Sequence, residues 1–196
     1  ETARQLGNMG YVVLLGARDS HKGEEAAQRL LNEGIEAYGI ELDVTSQKTI
    51  ETAVNHIEQT YGSLDILINN AGISVGGATP PSLIAVDDIR ETYNTNFFGM
   101  ISVTQAMLPL VQQSPAGRIV NLTSGLGSLA YNSDPEHEHA HFNLLAYNSS
   151  KAAVNMFTVT LAKEFRDTSL KINSVDPGFT ATDLNGFTGT NTVQQA

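Results

Sequence analysis

Residues 11–15 read Tyr-Val-Val-Leu-Leu, an unbroken apolar run with the length of one β-strand. Leu64–Ile68 and Gly117–Leu122 are similarly apolar, Lys171–Val175 is a further strand candidate, and Ile35–Ile40 is a weaker one. Strands without a polar face are typical of parallel sheets that helices cover on both sides. The sequence therefore predicts a parallel sheet at the centre of the molecule.

Segments of helical period separate these strands, and they are Lys22–Asn32, Ser46–Tyr61, Asp87–Val111 and Leu145–Arg166. Strand–helix alternation predicts right-handed crossovers and an α/β doubly wound sheet, within one domain over residues 1–196. Pro109 is expected to bend or end the third of these helices. The first residues have the pattern of the middle of a helix, with Gly10 as its C-cap.

Composition narrows the class of protein. The net charge of −10 opposes attraction to nucleic acid or to anionic membranes, so neither is an expected partner. The absence of cysteine excludes disulfide scaffolds, thiolate metal ligands and a cysteine nucleophile, and it fits a reducing cytoplasm. No apolar run is long enough to cross a bilayer, and the first residues lack a signal-peptide pattern. We therefore expect a cytoplasmic protein.

Tyr147 and Lys151 are separated by one helical turn, so the phenol and the ammonium can converge on one face. A free phenol, with a pKa near ~10, is a poor acid–base catalyst at neutral pH. A nearby cation favours the phenolate and lowers that pKa, which predicts a tyrosine able to exchange a proton with a carbonyl or alcohol oxygen. Alone, the pattern is weak, and a solvated helical pair is the alternative.

Three other polar positions strengthen this interpretation. Ser124 follows a predicted parallel strand, at the edge where such sheets bind ligands, although serine is also common in turns. The Asn69–Gly72 segment follows another strand and allows a nucleotide to approach the backbone, or it is an ordinary turn. Asn96 lies inside a predicted helix, where a buried amide needs partners and can hold a water or kink the helix.

Together these residues resemble the classical short-chain dehydrogenases/reductases, and the resemblance extends over nearly the whole chain. The matching pieces are Leu42-Asp43-Val44, Asn69-Asn70-Ala71-Gly72, Asn96, the strand Ile119–Ser124, Tyr147-x-x-x-Lys151 and Asn173-x-x-x-Pro177-Gly178. The family implies a Rossmann-type fold. It also implies hydride transfer between NAD(P)(H) and a carbonyl or alcohol, which would be a small-molecule substrate.

The resemblance implies a catalytic tetrad. Tyr147 would be the acid–base, and Ser124 would orient the substrate oxygen. Lys151 would lower the pKa of the phenol and bind the nicotinamide ribose, and Asn96 would hold a proton-relay water. The implied cofactor contacts lie at strand ends: Asp43 and Val44 beside the adenine, Asn70, Ala71 and Gly72 along its groove, and Pro177, Gly178 and Thr182 beside the nicotinamide and phosphates.

The chain departs from the family pattern at three places. The opening strand with its T-G-x-x-x-G-x-G turn is absent before Glu1, the last helix and strand are absent after Ala196, and extra residues separate Ser124 from Tyr147. The absent turn normally holds the pyrophosphate at a helix N-terminus. We therefore expect a slot or a forced closure between the Tyr11–Leu15 and Leu64–Ile68 strands, a chain that is poorly soluble or marginally folded, and weak NADPH binding or none.

The choice of dinucleotide depends on the end of the second family strand, where a carboxylate favours NAD and a nearby arginine favours NADP. Ala17 occupies the acidic position, with Arg18 next to it and Lys22 one helical turn later. Asp19 is adjacent but is not at the critical place. The pattern favours NADP(H) over NAD(H) and resembles the carbonyl reductases of the family. A solvated loop pair is the alternative.

The extra residues include Ser133–His141, in which His137, His139 and His141 alternate with glutamates. In an extended segment the three imidazoles would face one side, which is compatible with a metal site. A solvated loop at the mouth of the active site is the favoured alternative, and we expect no metal.

Two further hypotheses accompany the NADP(H)-dependent oxidoreductase. One is a nucleotide-binding or regulatory module without turnover, although such proteins are expected to lose the tyrosine or lysine of the tetrad. The other is a catalytically inactive fragment of an enzyme. Family members often pair through their two long helices, here Asp87–Val111 and Leu145–Arg166, so a homo-oligomer is a further expectation, which the insertion before Tyr147 can obstruct.

Overall fold

The computed structural model describes residues 1–138 and 140–195. Helices and strands alternate along the chain. In order they are α1 (Thr2–Asn8), β1 (Val13–Ala17), α2 (Ser20–Asn32), β2 (Ala37–Glu41), α3 (Gln47–Tyr61), β3 (Ile66–Asn69), α4 (Val86–Tyr93), a π-helical segment (Asn94–Gly99), α5 (Met100–Gln113), β4 (Arg118–Leu122), α6 (Leu129–Ser133), α7 (Leu145–Glu164) and β5 (Lys171–Val175). Short 3₁₀ turns cover Gly125–Gly127 and Asp183–Asn185.

The strands pair in parallel in two groups, which confirms the predicted α/β class. β1 lies beside β2, with Val13 opposite Ala37. β4 lies between β3 and β5, so that Ile119 faces Leu67 on one side and Ile172 on the other. Within residues 1–138 and 140–195 no strand pairing joins β1 to β3. The expected break in the sheet is therefore present.

The hydrophobic interior also has two parts. The main core gathers around β3, β4, α3 and α5, and its buried residues are Ile50, Ala53, Ile57, Leu67, Val103, Met107, Leu110, Val111, Ile119, Leu161, Leu170 and Ile172. A smaller cluster joins β1 to α2 and comprises Val13, Ala27, Leu30, Ile35 and Ala37. Leu14 of β1 packs against the main core, so the two parts of the sheet share an apolar contact.

Helical structure covers the whole predicted segment Asp87–Val111, but it is not α-helical throughout, because a π-helical segment, Asn94–Gly99, lies between α4 and α5. Pro109 does not end α5, which continues to Gln113. Helix propensity is a weak preference that tertiary packing overrides, and the residues on either side of this proline pack in the main core, Leu110 buried and Leu108 partly buried.

The described part of the histidine-rich segment is not extended, so the condition under which its imidazoles would share one face is not met there. Residues 135–138 form turns, and the amide of His137 donates to the carbonyl of Asp134 over 3.0 Å. The His137 ring stacks on Tyr131 of α6 with centroids 4.1 Å apart. His139 lies outside the described residues. Among the residues that are described, no three histidine, aspartate or glutamate side chains cluster as metal ligands would.

A search for membrane-spanning helices in the described residues finds none with the required length and hydropathy.

Candidate active site

The predicted Tyr147–Lys151 pair lies in the first turns of α7, at the carboxyl end of β4. The ammonium of Lys151 is 5.5 Å from the centre of the Tyr147 ring. Its Nζ also donates a 2.7 Å hydrogen bond to the carbonyl of Leu122, the last residue of β4. Lys151 is only 4% exposed, so this cation is held inside the protein.

Ser124 follows β4 in an extended conformation, with φ of −161°, and it turns its hydroxyl towards Tyr147. The two side chains are hydrogen-bonded, and the Ser124 Oγ also accepts from the amide of Leu126 over 3.2 Å. The loop can approach α7 because residue 127 is glycine: a Cβ there would lie 2.8 Å from the carbonyl carbon of Lys151. Serine and tyrosine are therefore brought together as the sequence predicted.

The electrostatics of the pair differ from the expectation. Burial raises the pKa of Tyr147, the Asp176 carboxylate raises it further, and the hydrogen bond from Ser124 opposes both. Burial also lowers the pKa of Lys151 to about 8. The expected lowering of the phenol pKa by Lys151 is not found. The ammonium is engaged by the Leu122 carbonyl, and it carries less charge at mildly alkaline pH than a solvated lysine does.

Asn96 lies in the π-helical segment and is 1% exposed. Its Nδ2 donates to the carbonyl of Ile73 over 2.9 Å and to the Oγ of Ser150 over 3.0 Å, and its Oδ1 accepts from the Ile73 amide over 2.8 Å. The amide thus holds the loop after β3 against α7. A Cβ on Gly72 would lie 3.6 Å from this Oδ1 and 3.7 Å from Lys151 Nζ, so the Gly72 backbone borders the site.

A row of buried polar side chains runs beneath the site. Asn69 Nδ2 donates to Thr104 of α5 over 2.9 Å and to Asn121 Oδ1 over 2.8 Å. Asn121 Nδ2 donates in turn to Thr158 of α7 over 2.9 Å. We name these four residues the polar row. The sequence analysis noted the two asparagines only as parts of motifs and missed both threonines, which resemble ordinary helix positions.

The candidate residues for the adenosine end of the cofactor lie at the ends of β1 and β2. Arg18 and Lys22 are exposed, and neither forms a salt bridge with another side chain in the described part of the chain. Asp19 caps α2, since its Oδ1 accepts from the amides of His21 at 3.0 Å and Lys22 at 3.2 Å. This carboxylate therefore caps the N-terminus of α2.

Asp43 and Val44 follow β2 directly. The hydroxyl of Thr45 donates to Asp43 Oδ1 over 2.7 Å, and this bond is the main cause of the lowered pKa of that carboxyl. The charge of Arg18 contributes to the same lowering, which shows that β1 and β2 bring these two residues near each other. Val44 packs against Gly99, where a Cβ would come within 2.7 Å of Val44 Cγ2.

The remaining candidates for cofactor binding lie on two loops. Asn70 and Ala71 are exposed immediately after β3. Pro177 and Gly178 follow β5, where Gly178 has a positive φ of 69° and the carbonyl of Pro177 accepts from Thr180. Thr182 is the N-cap residue of the Asp183–Asn185 turn. These loops belong to strands at the same edge of the three-stranded sheet as Ser124.

Asp176 is a residue of this site that the sequence analysis missed. It lies between β5 and Pro177, and its Oδ2 accepts from the amide of Gly125 over 2.8 Å while its Oδ1 accepts from Gly178 over 2.9 Å. The available signal was its position, because an aspartate directly after a parallel strand lies at the ligand-binding edge.

The assembled site contains a phenol, a hydroxyl and a buried ammonium around the carboxyl end of β4. A protonated phenol can donate to a carbonyl oxygen, and its phenolate can accept a proton from an alcohol. A serine hydroxyl next to it can hold the same oxygen in place. This chemistry suits the interconversion of a carbonyl and an alcohol.

Comparisons with known proteins agree with this arrangement. The family model described as short chain dehydrogenase matches residues 1–192. The short-chain dehydrogenase anuI of Penicillium roqueforti is 35% identical over 202 residues, which span 99% of this chain and 79% of that protein.

Solved structures show the same relationship. A gluconate 5-dehydrogenase from Burkholderia cenocepacia, in complex with NADP and tartrate, superposes with a TM-score of 0.81 at 27% identity, over 93% of this chain and 67% of the other. An NAD⁺-bound xylitol dehydrogenase gives a TM-score of 0.80 at 27% identity, over 94% and 66%. This chain therefore belongs to the classical short-chain dehydrogenase/reductase family of oxidoreductases, which have a Rossmann-type fold.

Proposed function

We propose that this protein is an NADP(H)-dependent oxidoreductase that interconverts a carbonyl compound and an alcohol, with Tyr147 as the acid–base. The observation that carries the proposal is the convergence of Ser124, after β4, and Lys151, on α7, on the same phenol: the Ser124 hydroxyl bonds Tyr147, and the Lys151 ammonium lies 5.5 Å from its ring centre. A module that only binds nucleotide has no need of a buried ammonium beside a hydrogen-bonded phenol.

Each side chain has a distinct task. Tyr147 donates a proton to the carbonyl oxygen in reduction and accepts it in oxidation. Ser124 holds that oxygen near the phenol through the hydroxyl that now bonds Tyr147. Lys151 supplies positive charge beside the ring, and Asn96 fixes the loop around Ile73, and so the neighbouring Gly72 backbone. When bound, the nicotinamide cofactor supplies or accepts the hydride.

The residues present fit a nicotinamide dinucleotide at two ends of the site. Gly72 places no side chain beside Lys151 Nζ, to which a Cβ would come within 3.7 Å, so its backbone could border a ribose next to the ammonium. At the other end, Arg18 and Lys22 would hold a 2′-phosphate, and Asp43 and Val44 would flank the adenine. Asn70, Ala71, Pro177, Gly178 and Thr182 would line the path between these ends.

The preference for NADP(H) rests on the end of β1. Ala17 offers no carboxylate to a ribose 2′-hydroxyl, and Asp19 is occupied by its N-cap hydrogen bonds. Arg18 and Lys22 are exposed cations that can meet a phosphate. The solved relatives include complexes with NADP and with NAD⁺, so the proposal depends on these residues of the chain itself. The cytoplasmic location and a homo-oligomeric state stay predictions.

The test is turnover. With the family's opening strand and closing segments joined to this chain, to overcome the weak NADPH binding expected above, the purified protein should oxidise NADPH in the presence of at least one member of a panel of aldehydes and ketones. Tyr147→Phe should lower kcat by about 10²–10⁴-fold, because the transferable proton is lost, while NADPH binding is retained. Tyr61→Phe, at the exposed end of α3, is the matched control. NADPH binding without turnover on any substrate would instead favour a nucleotide-binding module.

A further inference from the structure

We propose that Asp176 is a positioning residue of the reaction: its carboxylate ties the loop that carries Ser124 to the Pro177–Gly178 loop and places a negative charge beside Tyr147. This inference rests on the proposed role of Tyr147 as the acid–base. It adds a residue from a third structural element, the end of β5, to the pair on α7 and the serine after β4.

The Asp176 carboxylate bridges two loops. Its two oxygens bind two different loops, one at the Gly125 amide and the other at the Gly178 amide, over 2.8 and 2.9 Å. Gly125 is the residue directly after Ser124. Below the bridge, β4 and β5 are already paired, and the Thr123 amide donates to the Val175 carbonyl over 2.9 Å. The carboxylate therefore continues the strand pairing beyond the last ladder bond.

The bridge fixes both loops in the forms that the site uses. On the Ser124 side, the Gly125 amide is held by Asp176, and the next amide, that of Leu126, is held by the Ser124 hydroxyl. On the other side, the bond to Gly178 closes an aspartate turn around Pro177, where Gly178 adopts its positive φ of 69°. Charge-assisted bonds to backbone amides are stronger than neutral ones.

The charge of Asp176 acts on the phenol in the opposite sense to a cation. It raises the pKa of Tyr147, which favours the protonated phenol. The charged groups that face Tyr147 are thus Lys151 from α7, 5.5 Å from the ring centre, and Asp176 from the loop after β5. The protonated phenol is the form that can donate a proton to a carbonyl oxygen, so this charge maintains the protonation state that the reductive direction needs.

The first test needs no turnover. An ultraviolet titration would follow tyrosinate formation in the wild type and in Asp176→Asn, each compared with its own Tyr147→Phe counterpart to isolate one of the six tyrosines. The Tyr147 midpoint is expected to fall in Asp176→Asn, because a repelling charge is removed. Added salt should lower the wild-type midpoint and leave that of the variant nearly unchanged.

Two further variants make this result specific. Asp176→Ser also removes the charge, and its hydroxyl can still cap the turn to Gly178, so it should lower the midpoint in the same direction if Asp176→Asn folds poorly. Asp134→Asn is the matched control, because Asp134 forms the same kind of turn, to the Glu136 amide at 3.0 Å, outside the site. A Tyr147 midpoint that stays fixed in both Asp176 variants would overturn the charge role.

The second test uses kinetics on any substrate found. In Asp176→Asn the remaining side-chain oxygen can still accept the hydrogen bond from the Gly178 amide. The new NH₂ group faces the Gly125 N–H, and because both are donors, that second bond is lost. We therefore expect kcat to fall by roughly tenfold or more and the KM for NADPH to change little. In alcohol oxidation the acidic limb of the pH profile should move to lower pH. Unchanged kcat would refute the bridge, whereas absent turnover in the wild type refutes only the proposed function.

Discussion

Among single residues, Lys151 is expected to make the free energy of unfolding depend on pH. Its pKa is about 8 in the folded protein against 10.5 for a solvated lysine. The unfolded chain therefore binds more protons between these values, and stability rises with pH across that window. The full difference corresponds to roughly 3 kcal/mol. Below pH 8 the buried ammonium imposes its whole desolvation cost.

A Lys151→Met variant checks this dependence by urea unfolding at several pH values. At pH 7 it should be about as stable as the wild type or more so, because burying a methionine carries no charge penalty. Its advantage should shrink as pH rises from 8 towards 10. Lys163→Met, an exposed position near the end of α7, should show no such trend. Parallel stability curves for wild type and Lys151→Met would contradict the prediction.

Arg18 is the residue at which cofactor preference can be measured. Arg18→Ala should weaken NADPH binding far more than NADH binding, since a charge-assisted contact with phosphate is worth about 1.5–3 kcal/mol. Titration calorimetry with both cofactors provides the comparison. Arg29→Ala, near the opposite end of α2, is the control. Equal losses for the two cofactors would show that Arg18 does not contact the 2′-phosphate.

The sequence alone could predict which side chains come together at the carboxyl end of β4 but not the directions in which their pKa values shift. The spacing of Tyr147 and Lys151 within one helix, and the position of Ser124 after a strand, are local features, and the structure brings all three together. The pKa of the phenol depends on burial and on Asp176, which is distant in sequence. Such long-range effects leave no periodic signal in a single sequence.

At the scale of elements, the π-helical segment depends on a close contact that only glycine permits. A Cβ on Gly99 would lie 2.7 Å from Val44 Cγ2 and 2.9 Å from the Val44 carbonyl oxygen. Gly99→Ala should therefore lower the free energy of unfolding by about 1–2 kcal/mol, although alanine has the higher helix propensity. Thermal or urea unfolding measures the loss. Gln105→Ala, exposed on α5, should stay within about 0.5 kcal/mol of the wild type.

The long helix shows where sequence periodicity is insufficient. Its apolar spacing predicts one continuous helix over Asp87–Val111, yet the chain forms α4, a π-helical segment and α5. The extra residue per turn is compatible with the same apolar pattern, so the pattern cannot reveal it. Asn96 was the one local sign, because a buried amide within a helix needs partners, here Ile73 and Ser150.

For the molecule as a whole, the divided sheet predicts unequal local stability. The β1–α2–β2 unit rests on the smaller apolar cluster, whereas β3, β4 and β5 surround the main core. Regions with fewer buried apolar contacts open at lower free energy. Hydrogen exchange by mass spectrometry should find faster exchange in Val13–Ala17 than in Arg118–Leu122. Equal protection of the two strands would show that they unfold as one unit.

The parallel α/β class followed from strand composition and order, because strands buried on both faces lack alternation, whereas the break in the sheet was expected from the family resemblance. Strand ends were less accurate: β1 begins at Val13, since Tyr11 and Val12 are 42% exposed and the Tyr11 amide closes α1 on the Leu6 carbonyl.

The polar row has a consequence for how the protein tolerates change. Asn69 donates both to Thr104 of α5 and to Asn121 of β4, and Asn121 donates to Thr158 of α7, so that these bonds link α5, β3, β4 and α7. Sliding either helix by one turn would leave buried amides facing methylene groups, which is costly. The row therefore fixes the position of α5 relative to α7 across the sheet. Surface loops around the pocket can diverge to suit new substrates while the spacing of tyrosine and serine is preserved.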